Sequence, residues 1–297
     1  MSHSRIRRTA AMTMLAAAVA LSVVAPVNVA QATTRSTTEG TIALSPDATT
    51  PFSTADFSHP TAIDNAWFPL KPGIRYVYSG QADLGDGLQP HRNVFTVTDL
   101  TKVISGVRTR VVRDLDYSAG ELVEAELAFF AQDDRGNVWA LGEYPEEYEN
   151  GRFAGAPDVW IQGLAHARAG YAMLARPRTG TPSYSQGFAP AIDFADRARV
   201  FRTGVTVRVP VGQFHPVLIT DEWDALDPSG GHQRKYYARG VGNIRVTAVG
   251  GDLETLSLKR LVRLGPAELA TVHRESVVMD RRGHRVSAVY SETAPVR

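Results

Sequence analysis

The chain has 297 residues, with 32 Lys+Arg against 31 Asp+Glu, 43% hydrophobic residues and no cysteine. The lack of cysteine excludes disulfides, zinc–thiolate sites, cysteine nucleophiles and the lipidated cysteine of a lipoprotein, so a packed core alone must hold the fold. A near-neutral chain gives no electrostatic reason to expect nucleic acid or an anionic membrane as a partner.

The N-terminus reads as an export signal. Arg5, Arg7 and Arg8 precede an apolar run from Ala10 to Ala25, which Pro26 ends; Ala30-Gln31-Ala32 then supplies a small-x-small cleavage site. The run is shorter than the roughly 20 residues that span a bilayer, so residues 1–32 are expected to be a cleaved signal peptide and the mature chain to lack a transmembrane segment. Arg7-Arg8 is followed by Thr9-Ala10, a poor twin-arginine context, which favours the general pathway. Cleavage removes three arginines and leaves 29 Lys+Arg against 31 acids. The expected location is secreted, extracellular or cell-wall-associated.

Residues 33–60 are rich in Thr and Ser and read as a disordered linker. Residues 61–265 read as one β-rich domain. Apolar-alternating runs, separated by Gly, Pro, Asn and Asp, fall at Ile74–Tyr78, Val94–Thr98, Thr109–Tyr117, Leu122–Ala131 and Val138–Leu141. In the Leu122–Ala131 run, Val123, Ala125, Leu127 and Phe129 share one face while Glu124 and Glu126 take the other, the pattern of a half-buried strand. The stretch Glu143–Ala198 lacks a steady period and predicts long loops. Strands resume at Val205–Val209, Val217–Trp223, Gln233–Ala238, Asn243–Ala248 and Glu254–Leu264. So many short strands predict a mainly β fold, a curved antiparallel sheet or incomplete barrel.

Residues 266–297 read as a C-terminal helix and tail. Gly265-Pro266 opens the helix, Leu269, Val272, Ser276 and Met279 form its apolar stripe, and Gly283 is placed to stop it. The competing reading is a hairpin of Val277–Met279 and Val286–Tyr290.

Two motifs carry a resemblance. Trp67-Phe68-Pro69-Leu70-Lys71-Pro72-Gly73, followed by Tyr76-Val77-Tyr78, and Tyr236-Tyr237-Ala238-Arg239-Gly240-Val241-Gly242 are similar to paired motifs of a family of exported bacterial β-rich proteins. The resemblance implies an open, barrel-like sheet similar in outline to periplasmic lipid carriers. It implies no activity. Their prolines and glycines shape the backbone and do no chemistry, so a fold signature explains both motifs.

Catalytic motifs are lacking. There is no G-x-S-x-G elbow; Ser185-Gln186-Gly187 is only a fragment, and His273-Arg274-Glu275 has the wrong order for a zincin. No metal site and no cofactor are expected. Asp221-Glu222-Trp223-Asp224 sets acids beside an indole, with Asp221 and Trp223 on one face of the strand and Glu222 on the other. Glu143–Glu149 reads as a solvated acidic loop without calcium-loop spacing. Trp139, Trp160, Trp223 and Tyr236 are candidate ligand-binding aromatics.

The leading functional expectation is a secreted protein that holds a lipid or other apolar or amphipathic small molecule in a curved β-sheet. One alternative is an extracellular hydrolase using Asp221 or Glu222 with His215. The other is a non-catalytic module of the cell envelope. A cavity of at least about 300 Å³ favours a ligand. An interior packed solid around Val205, Val207, Leu256 and Leu258 counts against a carrier of the kind expected.

Overall fold

The computed structural model describes residues 50–83, 87–227, 229–250 and 254–297; the expected signal peptide and most of the expected linker lie outside them. The chain runs β1 (Ile74–Asp83), β2 (Leu88–Ile104), β3 (Val107–Ser118), β4 (Glu121–Gln132), β5 (Val138–Glu149), β6 (Arg152–Gly155), β7 (Trp160–Ile161), β8 (Arg168–Met173), β9 (Tyr184–Ser185) and β10 (Gly187–Phe188). It continues as β11 (Asp196–Val209), β12 (Gly212–Asp224), β13 (His232–Ala238), β14 (Gly242–Val249), β15 (Glu254–Arg263), α1 (Pro266–Val286) and α2 (Ala288–Ser291).

The strands form one antiparallel sheet in the order β10-β8-β5-β4-β3-β2-β1-β15-β14-β13-β12-β11-β9, with β6 and β7 beside β5. This is the mainly β, nearly closed barrel with a C-terminal helix that the alternation predicts. One short segment joins its two edges. Ser185 pairs with Arg197 of β11, and Gly187, two residues on, pairs with Ala169 of β8. Gly170 permits this approach, because a Cβ there would collide with the backbone of Ser185 and Gln186.

Both faces of the sheet are buried along much of β2 to β5. The inner face holds one apolar cluster, including Phe95, Val97, Val112, Phe130, Leu218, Leu256 and Leu258. A second cluster, with Val111, Leu127, Phe129, Leu141 and Tyr144, lies between the outer face and the helices. The side of β4 that carries Glu124 and Glu126 is therefore not a solvent face: it points into the barrel, and both residues are buried.

The two resembling motifs meet at the apolar end of the barrel. The Tyr76 hydroxyl donates to the Val241 carbonyl at 2.8 Å, Gly240 N–H donates to the Ala66 carbonyl at 2.7 Å, and Phe68 packs edge-on against Tyr237. They act as a plug, in keeping with a structural role. The space left among Phe68, Leu70, Tyr76 and Phe95 is about 10 Å³, room for roughly one water.

Several expectations need correction. Order begins before Ile63: Phe52 and Phe57 pack against Trp139, and Asp134 accepts from the Ser58 N–H at 2.9 Å, so residues 52–58 are tied to the barrel. Glu143–Glu149 is no loop. It is the second half of β5, where strand alternation turns Glu143 inward and Glu146 toward α1, and both are buried. The C-terminal segment is the expected helix and not the competing hairpin, opened by Pro266 and by the Glu268 carboxylate accepting from Gly265 N–H at 3.0 Å. Gly283 does not end it. The glycine lies inside the last turn because a Cβ there would stand 2.6 Å from Tyr290 and 2.9 Å from Tyr144.

Candidate functional site

The residues singled out from the sequence fall in three separate places. Trp139 lies on the outer face, donating to Asp133 at 2.9 Å and packed against Tyr171. Trp223 and Tyr236 lie on the outer face of β12 and β13, where Trp223 stacks on His232 and Arg199, and Arg245 stands over Tyr236. Trp160 alone of the four points inward, its indole donating to Glu143 at 2.8 Å.

The acids Asp221 and Glu222 are neighbours in sequence and are divided by the sheet. Asp221 is buried on the outer face, where Arg199 donates to it at 2.7 Å and His232 Nδ1 lies 3.2 Å away. Glu222 faces inward, with Lys235 at 2.9 Å and the Thr220 hydroxyl at 2.6 Å. His215 is exposed and contacts Thr206, not either acid. These three do not form one catalytic group.

Two features that sequence reasoning missed are chemically distinctive. The first is the polar half of the barrel interior. On strand after strand, one inward stripe changes from apolar to polar. Val112 is followed by Asp114 and Asp116, Phe130 is preceded by Glu126 and Glu124, and Leu256 is preceded by Glu254. Leu218 is likewise followed by Thr220, Glu222 and Asp224. The register aligns these switches, pairing Asn93 with Asp116, Asp116 with Glu124, and Glu222 with Gln233. Glu143 and Asp196 complete the acidic lining.

His91 and Lys235 supply positive charge there. His91 Nε2 lies 3.0 Å from Asp116 and 3.1 Å from Glu254. Burial opposes its charge, but those two carboxylates raise its pKa to about 10. The acids also shift upward, but through burial itself. Burial, reinforced by Asp116, lifts Asp114 to about 8, and burial lifts Glu143 to about 7 against the pull of the Trp160 hydrogen bond. Burial and the Asp224 charge also hold Asp196 far above the usual carboxylate range.

The second feature is a cleft of about 330 Å³ between α1 and the outer face of β3 to β5. Its apolar lining includes Leu115, Leu122, Val278 and Met279, and Val278 is 52% exposed. Arg113, Arg274 and Arg282 also line it, against one lining carboxylate, Glu275. Arg113 pairs with Glu275 and Arg282 with the buried Glu146, while Arg274 donates to the Thr271 hydroxyl on its own helix. The α1 anchor fixes one wall of this cleft: Lys102, buried in β2, holds Asp280 at 2.9 Å.

No family model matches the chain, and no curated protein does. Two solved structures resemble it in part. A Bacteroides fragilis protein assigned as exported, with a YmcC-like fold, is 14% identical over 67% of this chain and 99% of its own, with a TM-score of 0.35. A Parabacteroides distasonis protein assigned as a lipoprotein is 12% identical over 67% of this chain and 100% of its own, with a TM-score of 0.36. At those scores the assignments stay with those two proteins. Among the described residues of this chain, no helix is long and apolar enough to cross a membrane.

Proposed function

We propose that the chain is an exported protein of the cell surface or its surroundings that binds an amphipathic small molecule with an anionic head. The site is the cleft between α1 and the sheet. The observation that carries this reading is its mixed lining: an apolar floor beside three arginines facing one lining carboxylate. A carboxylate or phosphate head would meet the guanidiniums, and its chain would cover Leu115, Leu122 and Val278. The 330 Å³ volume lies at the lower end of the range for small-molecule sites, about 300–1,000 Å³.

This moves the ligand out of the place the sequence suggested. The inner face around Val207, Leu256 and Leu258 is filled by the chain's own side chains, and Val205 packs against them. An apolar guest inside that half of the barrel would have to displace the plug around Phe68. The outer cleft requires no such displacement.

The test is equilibrium titration with dodecanoate, alongside uncharged dodecyl maltoside and cationic dodecyltrimethylammonium. Saturable binding of dodecanoate alone is expected, weakened at least tenfold by Val278→Glu and several-fold by Arg274→Gln. Equal binding of all three amphiphiles, or of dodecanoate to wild type and both variants, would overturn the assignment. No binding of any of them would leave a non-catalytic envelope module as the better account.

A further inference from the structure

The acidic half of the barrel interior has no place in the cleft reading, yet it is costly to build. Buried carboxylates are normally paired or hydrogen-bonded. Here Glu124, Glu143 and Asp196 are 6%, 5% and 7% exposed, and Glu124 Oε1, Glu143 Oε1 and Asp196 Oδ1 have no hydrogen-bond partner in the protein. The hydroxyl oxygen of buried Tyr184 also has none.

These groups sit on different strands and face one interior. Glu143 on β5 raises the carboxyl pKa of Glu124 on β4 and of Asp196 on β11, which lies on the other side of the seam. The same interior already holds an ammonium group, because Lys235 Nζ lies 2.9 Å from Glu222.

We propose that this acidic interior is a second binding site, independent of the cleft, and that it takes the ammonium group of a small organic di- or polyamine through Glu124, Glu143 and Asp196. Each ammonium offers three donors to acceptors that lack them. A chain of separated ammonium groups suits carboxylates spread around a barrel wall. A metal ion suits them less: among the described residues no three His, Asp or Glu side chains are placed to hold one. The raised carboxyl pKa values add a consequence, since an ammonium guest must displace protons and so binds more tightly as pH rises.

The decisive experiment is isothermal titration of the purified full chain with 1,4-diaminobutane and with spermidine, at pH 6 and pH 8, beside calcium chloride alone. Saturable amine binding that is stronger at pH 8 is expected, with a rise in melting temperature. Glu143→Gln and Asp196→Asn should each weaken it at least tenfold, while Glu121→Gln, at the exposed start of β4, should leave it unchanged. If one interior variant fails to fold, the wild-type titration and the other variant still decide. Three results would overturn the proposal: no saturable heat with either amine at millimolar concentration, an equal response to calcium, or affinity unchanged in the folded interior variants.

Discussion

The ammonium group of Lys102 lies 2.9 Å from the Asp280 carboxylate and 4.1 Å from the centroid of the Tyr290 ring. It also donates to the Ala294 carbonyl at 2.7 Å, while the Tyr290 hydroxyl donates to Asp280 at 2.8 Å. One lysine from β2 thus ties α1, α2 and the tail to the sheet with its donors occupied. Burial pulls the lysine's pKa below its ordinary value, and Asp280 offsets only part of that.

Removing one partner of such a pair strands a buried charge. Asp280→Ala should cost about 3–5 kcal/mol in urea unfolding, and Lys102→Met a similar amount, whereas the double variant Lys102→Met/Asp280→Leu should recover most of the loss. Additive losses in the double variant would show that the two residues act separately.

Gly283→Ala should separate α1 from the sheet. The added methyl would stand 2.6 Å from Tyr290 and 2.9 Å from Tyr144, both buried rings. Helix propensity favours the alanine by about 1 kcal/mol, so a net loss of stability measures the crowding. The expected outcome is a loss of about 1–3 kcal/mol and weakened dodecanoate binding, read by thermal melting and titration.

Stability should fall as pH rises through the neutral range. Asp114 is pushed from 3.8 to about 8 and Glu143 from 4.5 to about 7, so between about pH 4 and pH 8 the folded chain keeps protons that the unfolded chain has released. Their contribution is complete near pH 4 and lost by pH 8. Asp114→Asn keeps the oxygen that accepts from Asn93 at 2.7 Å. It should therefore raise stability at pH 8 by roughly 1–3 kcal/mol and change little at pH 4. A stabilisation of the same size at both pH values would show that Asp114 is not the proton-holding group.

Gly170→Val should release the segment that joins the two edges of the barrel. Its side chain would collide with the backbone of Ser185 and Gln186. Faster amide exchange at Gly187 and Ala198, and concentration-dependent self-association through the freed edges of β8 and β11, are expected. Unchanged exchange at those amides would mean that the segment does not depend on Gly170.

Much of the fold was legible because one signal is local. Period-two alternation in Ile74–Tyr78, Val205–Val209 and Glu254–Leu264 marks strands whatever they pack against, and Pro266 with Glu268 marks a helix start. What an alternating strand faces is not local. Glu124 and Glu126 look like a solvent face until β4 is curled into a barrel, and only the folded sheet pairs Asp116 with Glu124 and lets His91 bridge Asp116 and Glu254. The pairing of α1 with the sheet is equally hidden, since Arg113 and Arg274 are 161 positions apart in the sequence. One signal was available: inward stripes such as Val112-Asp114-Asp116 and Leu218-Thr220-Glu222-Asp224 switch from apolar to charged without changing phase, which a strand bordering water on one side has no reason to do.

The first strand, β1, takes its second neighbour from the far end of the domain, with Ile74 opposite Arg263. Strand order therefore sets a timetable. As the polypeptide emerges from its N-terminus, β1 to β5 can zip together as successive hairpins, but the other edge of β1 stays open until β15 arrives nearly two hundred residues later. Closing so long a loop is slow because its entropy is spent before any contact rewards it. The barrel wall is thus completed late, when β15 joins β1 to β14.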